Sequence, residues 1–347
     1  MDDSPVFGYE FYVWIQRHGD WVRGFVMFCF GLAAGSFLNV VICRLPHGVS
    51  LLWPSSSCPA CGAAIRIRDN IPVLGWLFLG GRCRDCRAPI PWRYPAVELV
   101  VALLWGVVAW MAVGADALGG PWERSGLALA QLLFVSLLAA VACIDWDYQI
   151  IPDELSVGGA VAALALSAAL PGWALECSPE FVRGFPALNP RIAGFLAALA
   201  GLLSGALVMG AITVAGTWLF KARLRELRKD DPELDTAVGL GDLKLMALVG
   251  AFLGWRGFAA ALFIGVWYGS FAGVWIKWRT GWWPRDAEGR VKRWTGAACL
   301  ARWRSGASVM AFGPFLALGA LTAFFAHGPV TAFFTELINL AHKTAMR

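Results

Sequence analysis

Gly239-Leu240-Gly241-Asp242-Leu243-Lys244-Leu245 sets an aspartate at the mouth of an apolar segment, directly after a charged loop. A carboxylate there is costly unless it is used, so an acid at the edge of an apolar run is a candidate functional group. A second one, Asp145, ends the apolar run 132–144 and sits in Asp145-Trp146-Asp147-Tyr148-Gln149-Ile150-Ile151-Pro152-Asp153. Two such aspartates point to a carboxylate pair that shares a proton and activates water, because two neighbouring carboxylates cannot both ionise cheaply.

The rest of the chain is strongly apolar. Of 347 residues, 58% are hydrophobic and only 15% are charged, whereas soluble domains are about a quarter charged. A spanning helix needs roughly 20 mainly apolar residues, and about eight such runs can be placed. They lie near 22–43, 94–113, 126–144, 153–170 and 192–220, then in a short glycine-rich run opened by Asp242, then near 257–276 and 308–325. The expected fold is an all-α polytopic membrane protein of about eight transmembrane helices with a small cytoplasmic metal module. Its divisions are an outer segment and first helix at 1–43, a cysteine module at 44–93, and a transmembrane core at 94–347 with a basic loop at 277–304.

The net charge of +5 does not point to nucleic acid in such a chain. Basic residues here report which loops face the cytoplasm. The basic stretches 44–93, 221–229 and 277–304 all fall on one side of this topology, which puts both termini outside and both aspartates at the cytoplasmic face. Asp2 and Asp3 replace the basic start of a cleavable signal peptide, so the first run reads as a retained anchor.

The module at 44–93 carries seven arginines against Asp69 and Asp85. It also holds Cys58-Pro59-Ala60-Cys61 and Cys83-Arg84-Asp85-Cys86, the spacing of a four-thiolate zinc site. Gly62 and Gly81 allow the tight turns of the two knuckles. Four thiolates leave no open position for water, so the metal is structural. A reducing cytoplasm argues against two disulfides.

Other polar residues near the spans divide between packing and function. Gly31, Gly35 and Ser36 lie one turn apart, as small residues do where helices approach closely. Asn39 and Arg44 end the first run, and Arg44 can snorkel to the interface. Glu98 opens the second run, either paired with a neighbouring arginine or functional. The glycines before Asp242 let a substrate segment come close to the backbone, and Lys244 stands two residues beyond it.

Together these stretches resemble the type IV prepilin peptidases, a family of GxGD aspartic proteases. The likeness runs through Gly35-Ser36-Phe37-Leu38-Asn39-Val40, the double C-x-x-C module and Arg93-Tyr94-Pro95-Ala96-Val97-Glu98-Leu99 to Phe312-Gly313-Pro314-Phe315. The resemblance implies an inner-membrane endopeptidase that cuts the short basic leader of type IV prepilins and pseudopilins on the cytoplasmic side. It also implies methylation of the new N-terminus with S-adenosyl-L-methionine. The family's catalytic aspartates fall on Asp145 and Asp242, supported by Gly239, Gly241 and Lys244. Asp147 and Asp153 are rivals for the first role. Methylation is expected to depend on the polar module near Gly81, with Asn39, Arg44 and Glu98 as further candidates. No glycine-rich cofactor loop marks a donor site.

Two other readings use the same residues. A proton-coupled transporter would also carry membrane acids, but it should show internal repeats and acids at the midplane, and no repeat is visible. A non-catalytic, zinc-stabilised assembly protein would not need both aspartates.

Overall fold

The computed structural model describes residues 6–111, 121–221, 236, 238–280, 311–330, 332–333 and 336. The charged stretch 222–235, most of the basic loop expected at 277–304, and the opening of the last expected span at 308–310 lie outside the described residues. The described chain is helical, with only two isolated β-bridges, Ser57 to Ala64 and Arg82 to Pro89. It forms two compact units, Met1–Ser136 and Leu137–Arg347.

The first unit contains α1 (Val6–Arg44), the short α2 (Leu74–Phe78), α3 (Arg93–Met111) and the start of α4 (Pro121–Tyr148). Its helix α1 begins at Val6, well before the apolar run. Glycines set the approach of α1 to α3. A Cβ on Gly31 would lie 2.7 Å from the Ala102 Cα, and one on Gly35 would lie 2.6 Å from the Glu98 Cα. These glycines are packing residues, as their one-turn spacing suggests. Trp105 donates its indole N–H to the Ser136 hydroxyl at 2.9 Å, tying α3 to α4.

The second unit continues with the end of α4, then α5 (Asp153–Ala169), α6 (Pro171–Cys177), α7 (Pro179–Gly184), α8 (Pro190–Leu219), α9 (Leu240–Thr280) and α10 (Gly313–Phe325). Helices α8 and α9 approach so closely that side chains are excluded between them. A Cβ on Gly201 would sit 2.1 Å from the Gly250 carbonyl oxygen, and one on Gly205 would sit 2.4 Å from that of Met246. Substituting Gly201 by Ala is therefore expected to destabilise the protein by about 1–3 kcal/mol, the usual range for overpacking. Thermal unfolding of the purified protein checks this.

Five described helices are long and apolar enough to cross a membrane: Trp21–His47, Arg93–Met111, Ala128–Tyr148, Pro190–Leu219 and Leu240–Trp275. The pair α5 and α6 makes a sixth if it counts as one span bent by 103°. The eight runs expected from hydropathy differ from this count in two places. The sixth and seventh runs form the two helical legs of α9, whose 36-residue candidate span would extend about 54 Å if straight, beyond a hydrocarbon core of about 30 Å. Gly254, at φ 66° and ψ 179°, breaks it into a short and a long leg. The eighth run is described only as the shorter helix Gly313–Phe325.

Between α5 and α8 the chain folds as α6 and α7, with their junction at this break. Cys177 and Ser178 are buried, and a Cβ on Gly254 would lie 2.6 Å from the Ser178 hydroxyl. Trp173 donates its indole N–H to the Phe252 carbonyl at 2.7 Å, satisfying an oxygen that the helix break frees.

Candidate active site

Asp145 lies in the last turn of α4 and is buried, 6% exposed. Its helix ends at Tyr148, and Gln149 takes a left-handed φ of 56°. The chain then runs through Ile151 and Pro152 into α5, whose first turn carries Asp153 and Glu154. Pro152 sits at the helix start, where its missing N–H is tolerated. Asp242 lies in the first turn of α9, after the Gly239-Leu240-Gly241 approach.

The second unit brings these pieces together. Asp145 lies within electrostatic reach of Asp242, and its carboxylate accepts from the backbone N–H of Gly313 at the start of α10. Its Oδ2 is buried without a hydrogen-bond partner. A buried polar atom of this kind normally finds one; an acid that must engage water or a substrate carbonyl has reason not to.

Ile151 packs against the starts of α9 and α10. A Cβ on Gly241 would lie 3.1 Å from the Ile151 Cβ, and one on Gly313 would lie 3.3 Å from its Cδ1 and 2.5 Å from Asp145 Oδ2. A Cβ on Gly239 would lie 3.6 Å from Asp242 Oδ2. Gly241 thus holds α9 against Ile151, while Gly239 lies beside Asp242 and Gly313 beside Asp145.

The rival acids differ from Asp145. Asp153 is exposed and bound to Lys244 at 2.5 Å, in keeping with a helix-start role. Asp147 is buried and engaged in interactions of its own. Gly313 and Ile151 were given no role from sequence. The available signal was the Phe312-Gly313-Pro314 helix start, where proline occupies the first turn.

The Lys244–Asp153 pair joins the first turn of α5 to the start of α9, and so braces the helix that carries Asp242 against the one that follows Asp145. Both side chains are more than a third exposed, so the pair contributes at most about 1 kcal/mol to stability. Reversing either charge, Lys244→Asp or Asp153→Lys, should slow catalysis while the protein stays folded. The double reversal should restore much of the rate if the pair acts as a brace. Kinetics of the three variants, with thermal stability alongside, check this.

In the first unit, the two cysteine pairs form matching knuckles. In each, the first cysteine's N–H donates five residues ahead and its carbonyl accepts from four residues ahead: Cys58 with Ala63 and Gly62, Cys83 with Ala88 and Arg87. The second of these positions needs a left-handed φ, met by Gly62 at 73° and by Arg87 at 61°. Gly62 thus acts as expected, but Gly81 does not form the second knuckle turn; it lies before it, at φ 67°, under the Trp76 ring.

The sulfurs of Cys58, Cys61, Cys83 and Cys86 all lie within 4.8 Å of one another, and those of Cys58 and Cys86 are 3.8 Å apart. Zinc–sulfur bonds of about 2.3 Å give a tetrahedron with edges of about 3.8 Å, so this donor set fits zinc. Backbone N–H groups of Ala60 and Cys61 pull the Cys58 thiol down to about 7. Although the Ala63 N–H acts in the opposite sense, the Cys86 sulfur and burial push Cys61 up to about 12. Sulfurs this crowded lose their protons together only onto a cation. Arg84 clamps Asp69 through two hydrogen bonds of 2.7 and 2.6 Å, which holds that carboxyl below its ordinary range.

The remaining candidates each have a structural contact in the first unit. Asn39 donates to the Tyr94 carbonyl at 3.1 Å, Arg44 to the Ser50 carbonyl at 3.0 Å, and Glu98 accepts from the Val73 N–H at 2.7 Å.

Comparison with known proteins covers both units. Residues 29–112 match the family described as the bacterial peptidase A24 N-terminal domain. Residues 132–274 match the type IV leader peptidase family. A prepilin leader peptidase/N-methyltransferase of Burkholderia pseudomallei is 34% identical over 274 residues, covering 72% of this chain and 75% of the relative. One of Klebsiella pneumoniae is 36% identical over 248 residues, covering 70% and 90%. A type 4 prepilin-like proteins leader peptide-processing enzyme of Escherichia coli is 35% identical over 242 residues, covering 65% and 74%. No solved structure matches the chain.

Proposed function

Because this chain belongs to the type IV leader peptidase family, we propose that it cleaves the leader peptides of type IV prepilins and pseudopilins through Asp145 and Asp242. The observation that carries the assignment of residues is the buried, unpartnered Oδ2 of Asp145, within electrostatic reach of Asp242 and walled by glycine.

The chemistry follows from one proton shared by two carboxylates. The ionised member takes a proton from water as the water oxygen attacks the scissile carbonyl carbon. The protonated member donates a hydrogen bond to the carbonyl oxygen, which is becoming negative. Collapse of the tetrahedral intermediate breaks the C–N bond, and the departing nitrogen takes up a proton. The leader leaves as a carboxylate and the mature pilin as an amine. Gly239, Gly241 and Gly313 let the backbone lie against Asp242, Ile151 and Asp145 respectively, and Lys244 braces the site through Asp153.

We place the enzyme in the bacterial inner membrane with this site at the cytoplasmic face and both termini in the periplasm, where the basic leader stays in the cytoplasm and the apolar pilin segment in the bilayer. The divisions at 1–43, 44–93 and 94–347 remain our functional partition of the chain, with the 277–304 loop cytoplasmic. Zinc on Cys58, Cys61, Cys83 and Cys86 would hold the 44–93 module together and take no part in hydrolysis. Purified protein is expected to carry one zinc ion per chain, and the Cys83→Ser variant to lose it; metal analysis of both checks the assignment.

The second activity is methylation of the new N-terminal amine, with S-adenosyl-L-methionine supplying the methyl group. The 44–93 module and its flanks, with Gly81, Asn39, Arg44 and Glu98, are the candidate region. Asn39, Arg44 and Glu98 already hold backbone groups of their own unit, and Trp76 fills the space over Gly81. These four residues therefore form no cradle for the methyl donor by themselves.

The test is reconstituted cleavage of a prepilin, read by the intact mass of the product with and without S-adenosyl-L-methionine. Loss of the leader supports the peptidase, and one added methyl group supports the second activity. An uncut prepilin overturns the reading.

A further inference from the structure

The loop between the two cysteine knuckles exposes large apolar side chains that a solvated module would hide. Ile67 is 92% exposed and Phe78 is 77% exposed, and Ile71, Leu74 and Leu77 are also exposed. Exposed apolar clusters of this kind mark an interaction surface. The segment presents them as one compact piece. A Cβ on Gly75 would lie 2.3 Å from the Asp69 carbonyl oxygen, so α2 is seated on the turn Ile67–Asp69. Trp76 instead turns inward and donates to the Ile90 carbonyl at 3.0 Å.

The depth of this loop is fixed by Glu98. The Val73 N–H donates to the Glu98 carboxylate at 2.7 Å, and Val73 holds φ at 60°, a conformation that a β-branched residue rarely adopts. Glu98 lies five residues into α3, about 8 Å along the helix. The apolar span Arg93–Met111 starts at the first residue of α3. Val73 is therefore held beside a spanning helix, below its end. Amphipathic segments that lie in an interface bury their apolar face about 5–10 Å into the headgroup–acyl boundary. The depth agrees.

We propose that the loop 66–78 is an interfacial wedge, inserted by Ile67, Leu77 and Phe78 into the acyl boundary of the bilayer that α1 and α3 cross. The exposed Arg68 stands among these side chains to meet lipid phosphates, and the module as a whole carries seven arginines against two aspartates, a charge balance that suits anionic headgroups. The strained backbone at Val73 is the local cost of holding the loop at that depth. The inference rests on α1 and α3 being membrane spans. It is independent of the assignment of the catalytic residues.

The test uses the full chain in phospholipid nanodiscs, with p-benzoylphenylalanine replacing Ile67 or Phe78 and, as a reference within α1, Phe30. After illumination, the Ile67 and Phe78 variants are expected to gain the mass of a phospholipid, as the Phe30 variant does. Absence of a lipid adduct at Ile67 or Phe78 while Phe30 is labelled would overturn the proposal, and so would crosslinks at those positions to another part of the protein. If Phe30 also fails to label, the membrane placement of α1 falls and the wedge falls with it.

Discussion

Asparagine at Asp145 or at Asp242 is expected to lower leader cleavage on the order of 10⁴-fold, the upper range for loss of a positioned acid or base. Asparagine keeps the shape of the side chain but can neither take a proton from water nor lend one to the carbonyl oxygen. The loss should not come from unfolding. Asp145 is buried and its Oδ2 has no partner, and a buried carboxylate in that state is a burden on the fold. The Asp145→Asn variant should therefore melt no lower than the wild type. Reduced cleavage with unchanged or raised thermal stability is the signature of an acid kept for chemistry. Asp242 sits in the first turn of α9, where a carboxylate also suits the helix dipole, so its asparagine variant should gain less stability.

A methyl group at Gly313 should act on the same carboxylate by a different route. In Gly313→Ala the new Cβ would lie 2.5 Å from Asp145 Oδ2 and 3.3 Å from the Ile151 Cδ1, closer to that oxygen than packed atoms come. The carboxylate must shift, and displacements of about 1 Å in a reacting group cost about 10²-fold in rate. The effect is expected in kcat with little change in KM, because the pilin segment would bind as before. Gly319, also in α10, offers a comparison. A Cβ there would lie 2.3 Å from the Ala261 carbonyl oxygen, away from the acids, so Gly319→Ala should lower thermal stability more than kcat. Equal loss of kcat in the two variants would mean that Gly313 merely packs the helix.

Much of this site was legible in the sequence because its chemistry is local. Asp242 with its glycines and Asp145 with Ile151-Pro152-Asp153 are short stretches, each at the edge of an apolar run where an acid stands out. The double C-x-x-C spacing likewise announced four sulfurs that the fold gathers within 4.8 Å. What escaped was contact between distant segments. Gly313 meets Asp145 across 167 intervening positions, and no local periodicity marks a glycine as the wall of a carboxylate. Arg87 illustrates a second limit. Its left-handed backbone occupies the place that Gly62 fills in the first knuckle, and Gly81 drew attention only because glycine is the usual residue for such a turn. The fold α6–α7 was hidden for a related reason: its apolar residues are too few for a span, but Cys177 and Ser178 find burial against the break at Gly254. Hydropathy registers length and composition. It does not register a short bent helix pair seated against a glycine break.

The most direct test of the central claim is single-turnover cleavage of a prepilin by wild type, Asp145→Asn, Asp242→Asn and the double variant, all in one membrane preparation. Residues that act as one unit lose nearly everything when either is removed. The expected result is the same low residual rate in all three variants, with each protein folded and in the membrane. Near wild-type cleavage by either single variant, or a double variant far slower than both singles, would contradict the dyad.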